Sequence, residues 1–195
     1  LLTHKYHWIE AYDNIRKVLT IHNLKFQGIY DPVIIGSVFG MGYECYHDMG
    51  VKHFDRVNYL KGGIHYSDRV TTVSPSYAGE IQTYEFGEHL DGDLRWNHWK
   101  IRGILNGIDM DKNDPKTDPN IAYPLKTSIK KYKKENKAAL QERLGLNVDD
   151  NVALVGMVTR LTDQKGVQLL AEAQDELMCR NMQLVILGTG DPHYE

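Results

Sequence analysis

Arg160 and Lys165 stand five residues apart in the run Arg160-Leu161-Thr162-Asp163-Gln164-Lys165-Gly166, directly after an apolar stretch. A guanidinium offers a planar fork and an ammonium a compact charge, and together they suit a diphosphate. Gly166 lets a backbone come close to such a group. Gly188-Thr189-Gly190 closes the next apolar run and adds a second glycine turn. The competing reading is two cations that only solvate a loop, and residue chemistry leaves both open. Neither a G-x-x-x-x-G-K-[ST] nor a G-x-G-x-x-G pattern occurs, so the glycines by themselves name no nucleotide loop. A third candidate is His22, which with Asn23 follows Val18-Leu19-Thr20-Ile21. An imidazole at a strand end can hydrogen-bond a group held at that edge; a packed histidine satisfied by backbone is the alternative.

These side chains need elements to hold them. Val152 to Val158 is a strand-length apolar run, and Met182 to Leu187 is another. Between them Val167, Leu170, Ala171, Gln174, Leu177 and Met178 form one helical stripe. Strand, helix, strand of this length predicts a parallel right-handed crossover, with Gly166 to about Met178 as its helix. In open parallel sheets ligands bind outside the carboxyl ends of the strands, where Arg160, Lys165 and Gly188 to Gly190 fall. Upstream, Val18 to Ile21 reads as a buried strand, Val57 to Tyr66 as a helix weakened by Gly62-Gly63, and Arg69 to Val73 as a strand. Ser74-Pro75 reads as an N-cap and first helical position for a helix over Ser76 to Gln82. Thr83 to Lys100 reads as a long surface loop. Ile104 to Asp109 reads as a strand end running into a turn, with Asn106-Gly107 tolerating positive φ. Asp111 to Pro124 is the expected linker. Lys133 to Leu144 reads as a helix closed by Gly145 and Leu146, and the lysines from Lys126 to Lys137 read as a solvated helix face, with an anion patch the alternative.

The chain has 195 residues, 42% hydrophobic and 25% charged, with a net charge of −3. This is globular composition, and its charge balance argues against bulk electrostatic binding to nucleic acid or a membrane surface. No apolar stretch approaches the roughly 20 residues of a spanning helix. Two distant cysteines, Cys45 and Cys179, make neither a disulfide framework nor a zinc spacing. His4, His7, His47, His53, His65, His89, His98 and His193 lack helical metal-ligand spacing, so no metal site is expected.

Several of these runs together resemble one family. Thr20-Ile21-His22-Asn23-Leu24 with Gln27-Gly28 resembles the T-[IV]-H-N-x-x-x-Q-G motif of bacterial glycogen synthases and plant starch synthases. Leu60-Lys61-Gly62-Gly63-Ile64, Val70-Thr71-Thr72-Val73-Ser74-Pro75, Ile104-Leu105-Asn106-Gly107-Ile108-Asp109, Arg160 to Gly166 and Leu187-Gly188-Thr189-Gly190-Asp191 match further blocks in the same order. The resemblance implies an α/β, GT-B-type fold: parts of two Rossmann-like domains with parallel sheets. Residues 1–104 would be the last part of the N-terminal, acceptor-side domain. Residues 105–195 would be a linker and the first part of the nucleotide-sugar domain. It implies a retaining hexosyltransferase that moves glucose from ADP-glucose, or UDP-glucose, to the non-reducing 4-hydroxyl of an α-1,4-glucan, without cofactor or metal. Arg160 and Lys165 take the family's diphosphate positions and His22 the position near the donor glucose. Asn23, Asn106, Gly166, Gly188, Thr189 and Gly190 line the donor side. The expected partners are the sugar nucleotide and the glucan, with no nucleic acid and no membrane.

The chain also departs from the pattern. The family's K-x-G-G-L loop and its E-x7-E segment have no counterpart here, Asp114 stands where Asn is usual, and Thr159 stands where Ser is commoner. With a start at Leu1, these departures lead us to expect the middle of a longer enzyme, inactive alone. A non-catalytic module that binds glucan or sugar nucleotide is the rival reading. A sucrose synthase-like transferase is a third, disfavoured by the T-I-H-N and L-K-G-G-I blocks. A cytoplasmic location is expected for a bacterial member and a plastid one for a plant member.

Overall fold

The computed structural model describes residues 1–195 as two compact units, Leu1–Gly107 and Ile108–Glu195. In chain order the first unit holds β1 (Val18–Ile21), β2 (Ile29–Tyr30), α1 (Ile34–Ser37), β3 (Lys52–His53), β4 (Arg56–Asn58), α2 (Tyr59–Tyr66), β5 (Arg69–Thr72), α3 (Pro75–Glu80), α4 (Asp91–Trp96) and β6 (Ile101–Gly103). The second holds α5 (Ile129–Arg143), β7 (Ala153–Val158), α6 (Val167–Glu172), α7 (Gln174–Met178) and β8 (Met182–Leu187). No helix is long and apolar enough to cross a membrane.

In the first unit β1, β5 and β6 form a parallel sheet in that order, with Ile21 opposite Thr72 and Thr72 opposite Gly103. A small antiparallel sheet, β2-β4-β3, lies in the same unit. One core cluster joins Ile21, Leu24, Ile64, Val70, Ile81, Leu90, Leu94 and Ile101. Each side chain so buried contributes about 1.5–3 kcal/mol. Local chemistry sets the helix starts. Asn58 caps α2 by accepting from the Lys61 N–H, and Ser74 caps α3 by accepting from that of Tyr77, ahead of Pro75. The glycines of α2 are there for space. A β-carbon on Gly62 would fall 2.6 Å from Val51, and one on Gly63 3.2 Å from Leu19.

Several expectations need correction. Residues 83–100 are not a loop. Leu90 and Leu94 are fully buried, and α4 followed by a 3-10 turn over His98–Lys100 packs them into the core. The acids and glycines of this stretch mask a short amphipathic helix. Lys100 is itself buried, its Nζ donating to the carbonyls of His65 and Ser67, and burial pushes its pKa down. Residues 57–58 of the expected helix belong to strand β4, and the helix begins at Tyr59. The strand near Asn106 ends at Gly103. Residues 104–109 carry no regular element, although Ile104 still donates to Thr72. β1 is a sheet edge rather than a buried strand, and Val18 is 61% exposed.

In the second unit α5 starts at Ile129, earlier than its lysine pattern suggests, because Ser128 supplies the cap. It ends in a full Schellman motif. Gly145 adopts φ +67, its N–H meets the Glu142 carbonyl, and that of Leu146 meets Gln141. Gln141, the one buried residue of α5, donates to Gln183 of β8 and to the carbonyl of Asp149 ahead of β7. β7 and β8 are parallel from Ala153–Met182 to Val158–Leu187, as the crossover pattern predicts. The crossover helix is split at Ala173 into α6 and α7.

A buried ionic triad ties α2 to α4. Asp93 accepts from the His65 ring at 2.6 Å and pairs with Lys61 at 3.5 Å. Burial by itself would raise the Asp93 pKa, but the His65 hydrogen bond and the Lys61 charge prevail and hold it below the usual 3.8. A depressed carboxylate stabilises the fold above its unfolded pKa, and that contribution disappears as pH falls through its folded value. Stability should therefore drop as pH falls below about 4. Asp93→Asn should flatten that acid limb and cost about 2–3 kcal/mol at neutral pH, since it strands the buried Lys61. Urea titrations across pH check both; an acid limb unchanged in Asp93→Asn would show that other carboxylates set it.

Candidate functional site

The chemistry concentrates at the carboxyl edge of the β7–β8 pair. Parallel bonding does not stop where the strands end. The Thr159 N–H donates to Leu187, that of Leu161 to Thr189, and that of Asp191 back to Leu161. Leu161 and Gly190 form a further parallel bridge, and Leu161 is buried. Arg160 thus projects from a backbone anchored on both sides, with its side chain exposed. Thr162 to Gly166 then turns back, the Lys165 N–H meeting the Thr162 carbonyl and that of Gly166 meeting Asp163. Lys165 ends this 3-10 turn and is also exposed. No hydrogen bond or ion pair engages either cation. Both cations therefore face water, able to receive an anion without first breaking an internal pair.

The glycines have structural reasons of their own. Gly166 sits at φ +70, and a β-carbon there would lie 3.6 Å from Leu169, an ordinary contact, so backbone conformation rather than close packing calls for glycine. At Gly188 a β-carbon would fall 1.9 Å from the Thr159 carbonyl oxygen, and at Gly190 2.3 Å from that of Leu161. Both glycines let two backbones touch. The Gly190 N–H donates to the Glu195 carboxylate at 2.7 Å, so an anionic oxygen already rests on this turn. The Tyr194 hydroxyl donates to Asp163, which pushes the tyrosine pKa up.

The remaining predicted residues belong to the first unit. His22 directly follows β1 and is exposed, which removes the packed-histidine alternative. Asn23 beside it is half-buried, and its Oδ1 accepts from the Lys25 N–H at 3.0 Å. The loop is then pinned at Leu24, fully buried, whose N–H donates to the Tyr77 hydroxyl. Asn106 is exposed in the irregular stretch after β6. Within this unit His22 and Asn106 both follow the carboxyl ends of parallel strands of one sheet. Sequence reasoning passed over Tyr77, whose only signal is its place three residues after the Ser74 cap.

Residues 1–96 match the family model described as the starch synthase catalytic domain. The whole chain aligns with glycogen synthase of Lactiplantibacillus plantarum at 54% identity over 196 residues, covering 41% of that protein. It aligns with glycogen synthase of Streptococcus gordonii at 52% over 195 residues, again covering 41%. The chain spans about two fifths of the length of these curated relatives. Among solved structures it matches the catalytic domain of starch synthase IV from Arabidopsis thaliana bound to ADP and acarbose. That match has a TM-score of 0.85 and 37% identity, and covers 96% of this chain and 40% of the other.

The close backbone approach makes a direct prediction. Gly188→Ala should force the Thr159 and Gly188 strands apart and cost about 3 kcal/mol or more. Gly156→Ala, in β7 with nothing within 4 Å, should be near neutral. Equal urea midpoints for the two variants would mean that the strand ends are not in contact.

Proposed function

Because the chain belongs to the family of bacterial glycogen synthases and plant starch synthases, we propose that it is a segment of a retaining glucosyltransferase. The reaction moves glucose from ADP-glucose, with UDP-glucose the alternative donor, to the non-reducing 4-hydroxyl of an α-1,4-glucan. Residues 1–104 are part of the acceptor-side domain, and 105–195 are the linker and first part of the nucleotide-sugar domain. The observation that carries the reading is the β7–β8 edge, where Arg160 and Lys165 stand unpaired on a backbone braced by the Gly188-Thr189-Gly190 turn.

The mechanism follows from where charge grows. Breaking the glycosyl–phosphate bond loads negative charge onto the leaving diphosphate. The Arg160 fork and the Lys165 ammonium, carried on backbones fixed beforehand, stabilise that charge more in the transition state than in the ground state. His22, with Asn23 beside it, hydrogen-bonds the donor glucose from the end of β1, and Asn106 serves the same donor side. Gly166 and the Gly188 to Gly190 turn shape the donor pocket by holding the two cation-bearing backbones in place. The chemistry asks for no metal, since the cations do the work of a Lewis acid at the diphosphate. A cytoplasmic location is the reading for a bacterial member of the family, with a plastid one the alternative for a plant member.

In a full-length synthase containing this segment, Arg160→Ala or Lys165→Ala should lower kcat on the order of 10²-fold or more, by analogy with removing one preorganised oxyanion donor. KM for the sugar nucleotide should rise much less. Arg160→Lys should rescue only partly, because a two-pronged contact becomes a point charge. Steady-state kinetics with ADP-glucose and a glucan primer measure this. A near-normal kcat with only a weaker KM in Lys165→Ala would make the residue a binding contact and contradict its electrostatic role.

A further inference from the structure

The L-K-G-G-I and Q-G blocks carry no part of the glucosyl-transfer step as assigned above, yet they meet in one buried polar network. Gln27 and Asn58 are 7% and 0% exposed. The Asn58 Nδ2 donates to Gln27 Oε1 at 2.6 Å, while Asn58 Oδ1 accepts from the Lys61 N–H at 2.9 Å. The Gln27 backbone carbonyl accepts from the Leu60 N–H and that of Gly28 from the Tyr59 N–H, so the loop after β1 caps the first turn of α2. Gly28 makes this approach at φ +65, where a β-carbon would lie 3.0 Å from the Tyr59 ring.

The other end of Gln27 reaches a strained turn. Its Nε2 donates to the Glu88 carbonyl at 2.8 Å. Glu88 and His89 both adopt left-handed backbone, φ 46 and φ 65, without being glycine. Two consecutive residues of this kind persist only where their surroundings hold them. Gln27 is therefore bonded at once to the N-terminus of α2 and to the turn that leads into α4. Those two helices are themselves locked by Lys61, His65 and Asp93.

We infer that Gln27 is a positioning residue that fixes the His22 loop, gripping α2 through Asn58 and the 88–89 turn through its amide; its bearing on catalysis rests on the glucosyl-transfer reading. The loop leaves β1 at Ile21, is pinned at Leu24 and is pinned again at Gln27. Between the first two anchors lie His22, exposed, and Asn23, half-buried. Removing the side-chain anchor leaves the carboxyl end of this short loop held only by the two backbone bonds of Gln27 and Gly28 to α2 and frees the 88–89 turn, and a functional group displaced by an ångström loses much of its effect.

Gln27→Met keeps the length and loses both side-chain hydrogen bonds. Asn58→Ser keeps an α2 cap and loses the donor to Gln27 without burying a charge, so it serves if the methionine variant folds poorly. Hydrogen exchange on the 195-residue chain should accelerate about tenfold or more over residues 22–28 and 87–89, with β5 and α5 unchanged. In the full-length synthase the same substitution should lower kcat about tenfold with the sugar-nucleotide KM nearly constant. Unchanged exchange over 22–28, or equal acceleration throughout the first unit, overturns the inference. A selectively loosened loop with unaltered transfer supports the positioning by Gln27 and contradicts the role given to His22.

Discussion

Everything at the candidate site depends on two parallel strands that keep bonding after their regular pairing ends. Parallel neighbours joined by a helical crossover usually diverge into separate loops at their carboxyl ends. Here Leu161 stays in register with Gly190 and is buried, so the loop bearing Arg160 and the glycine turn are one structure. The cost is steric: no residue with a β-carbon fits at Gly188 or Gly190. The return is an arginine whose backbone is bonded on both flanks while its head group stays in water. With the backbone set in advance, only the side-chain torsions remain to be ordered when charge develops.

The first unit solves a comparable problem with different material. Its parallel sheet is short and its edge strand β1 is partly exposed, so the loop beyond β1 cannot rely on sheet bonding alone. It is held instead by an apolar anchor at Leu24 and a polar one at Gln27. Buried amides and the Lys61–Asp93–His65 triad contribute little net stability for their desolvation. They do impose direction, which apolar packing lacks, and His22 sits at the end of that directed framework. Both units thus place an exposed polar side chain immediately after a parallel strand and secure the backbone on either side of it.

Much of this was legible in the residues. The alternation of apolar runs and the stripe from Val167 to Met178 marked the β7–β8 crossover, because hydrophobic period reports directly on burial. Ser74-Pro75 and Gly145 announced their helix ends through local hydrogen-bonding chemistry. What failed were segments whose structure depends on distant partners. The stretch 83–100 looks like a loop by composition, and only contact with the sheet reveals Leu90 and Leu94 as core residues. The extent of β6, the edge status of β1 and the grip of Gln27 on the 88–89 turn likewise rest on long-range pairing that no local pattern encodes. The glycines at 188 and 190 were recognised as a turn, but their reason, contact between two backbones, needs the second strand in place.

The most direct measurement is an NMR titration of the 195-residue chain with ADP, following backbone amides. If Arg160 and Lys165 form the diphosphate site, shifts will cluster on residues 159–166 and 188–190. They will weaken as salt rises and vanish in the Arg160→Ala, Lys165→Ala double variant. Shifts that cluster elsewhere, or that persist unchanged in the double variant, would contradict the assignment of this edge as the anion site.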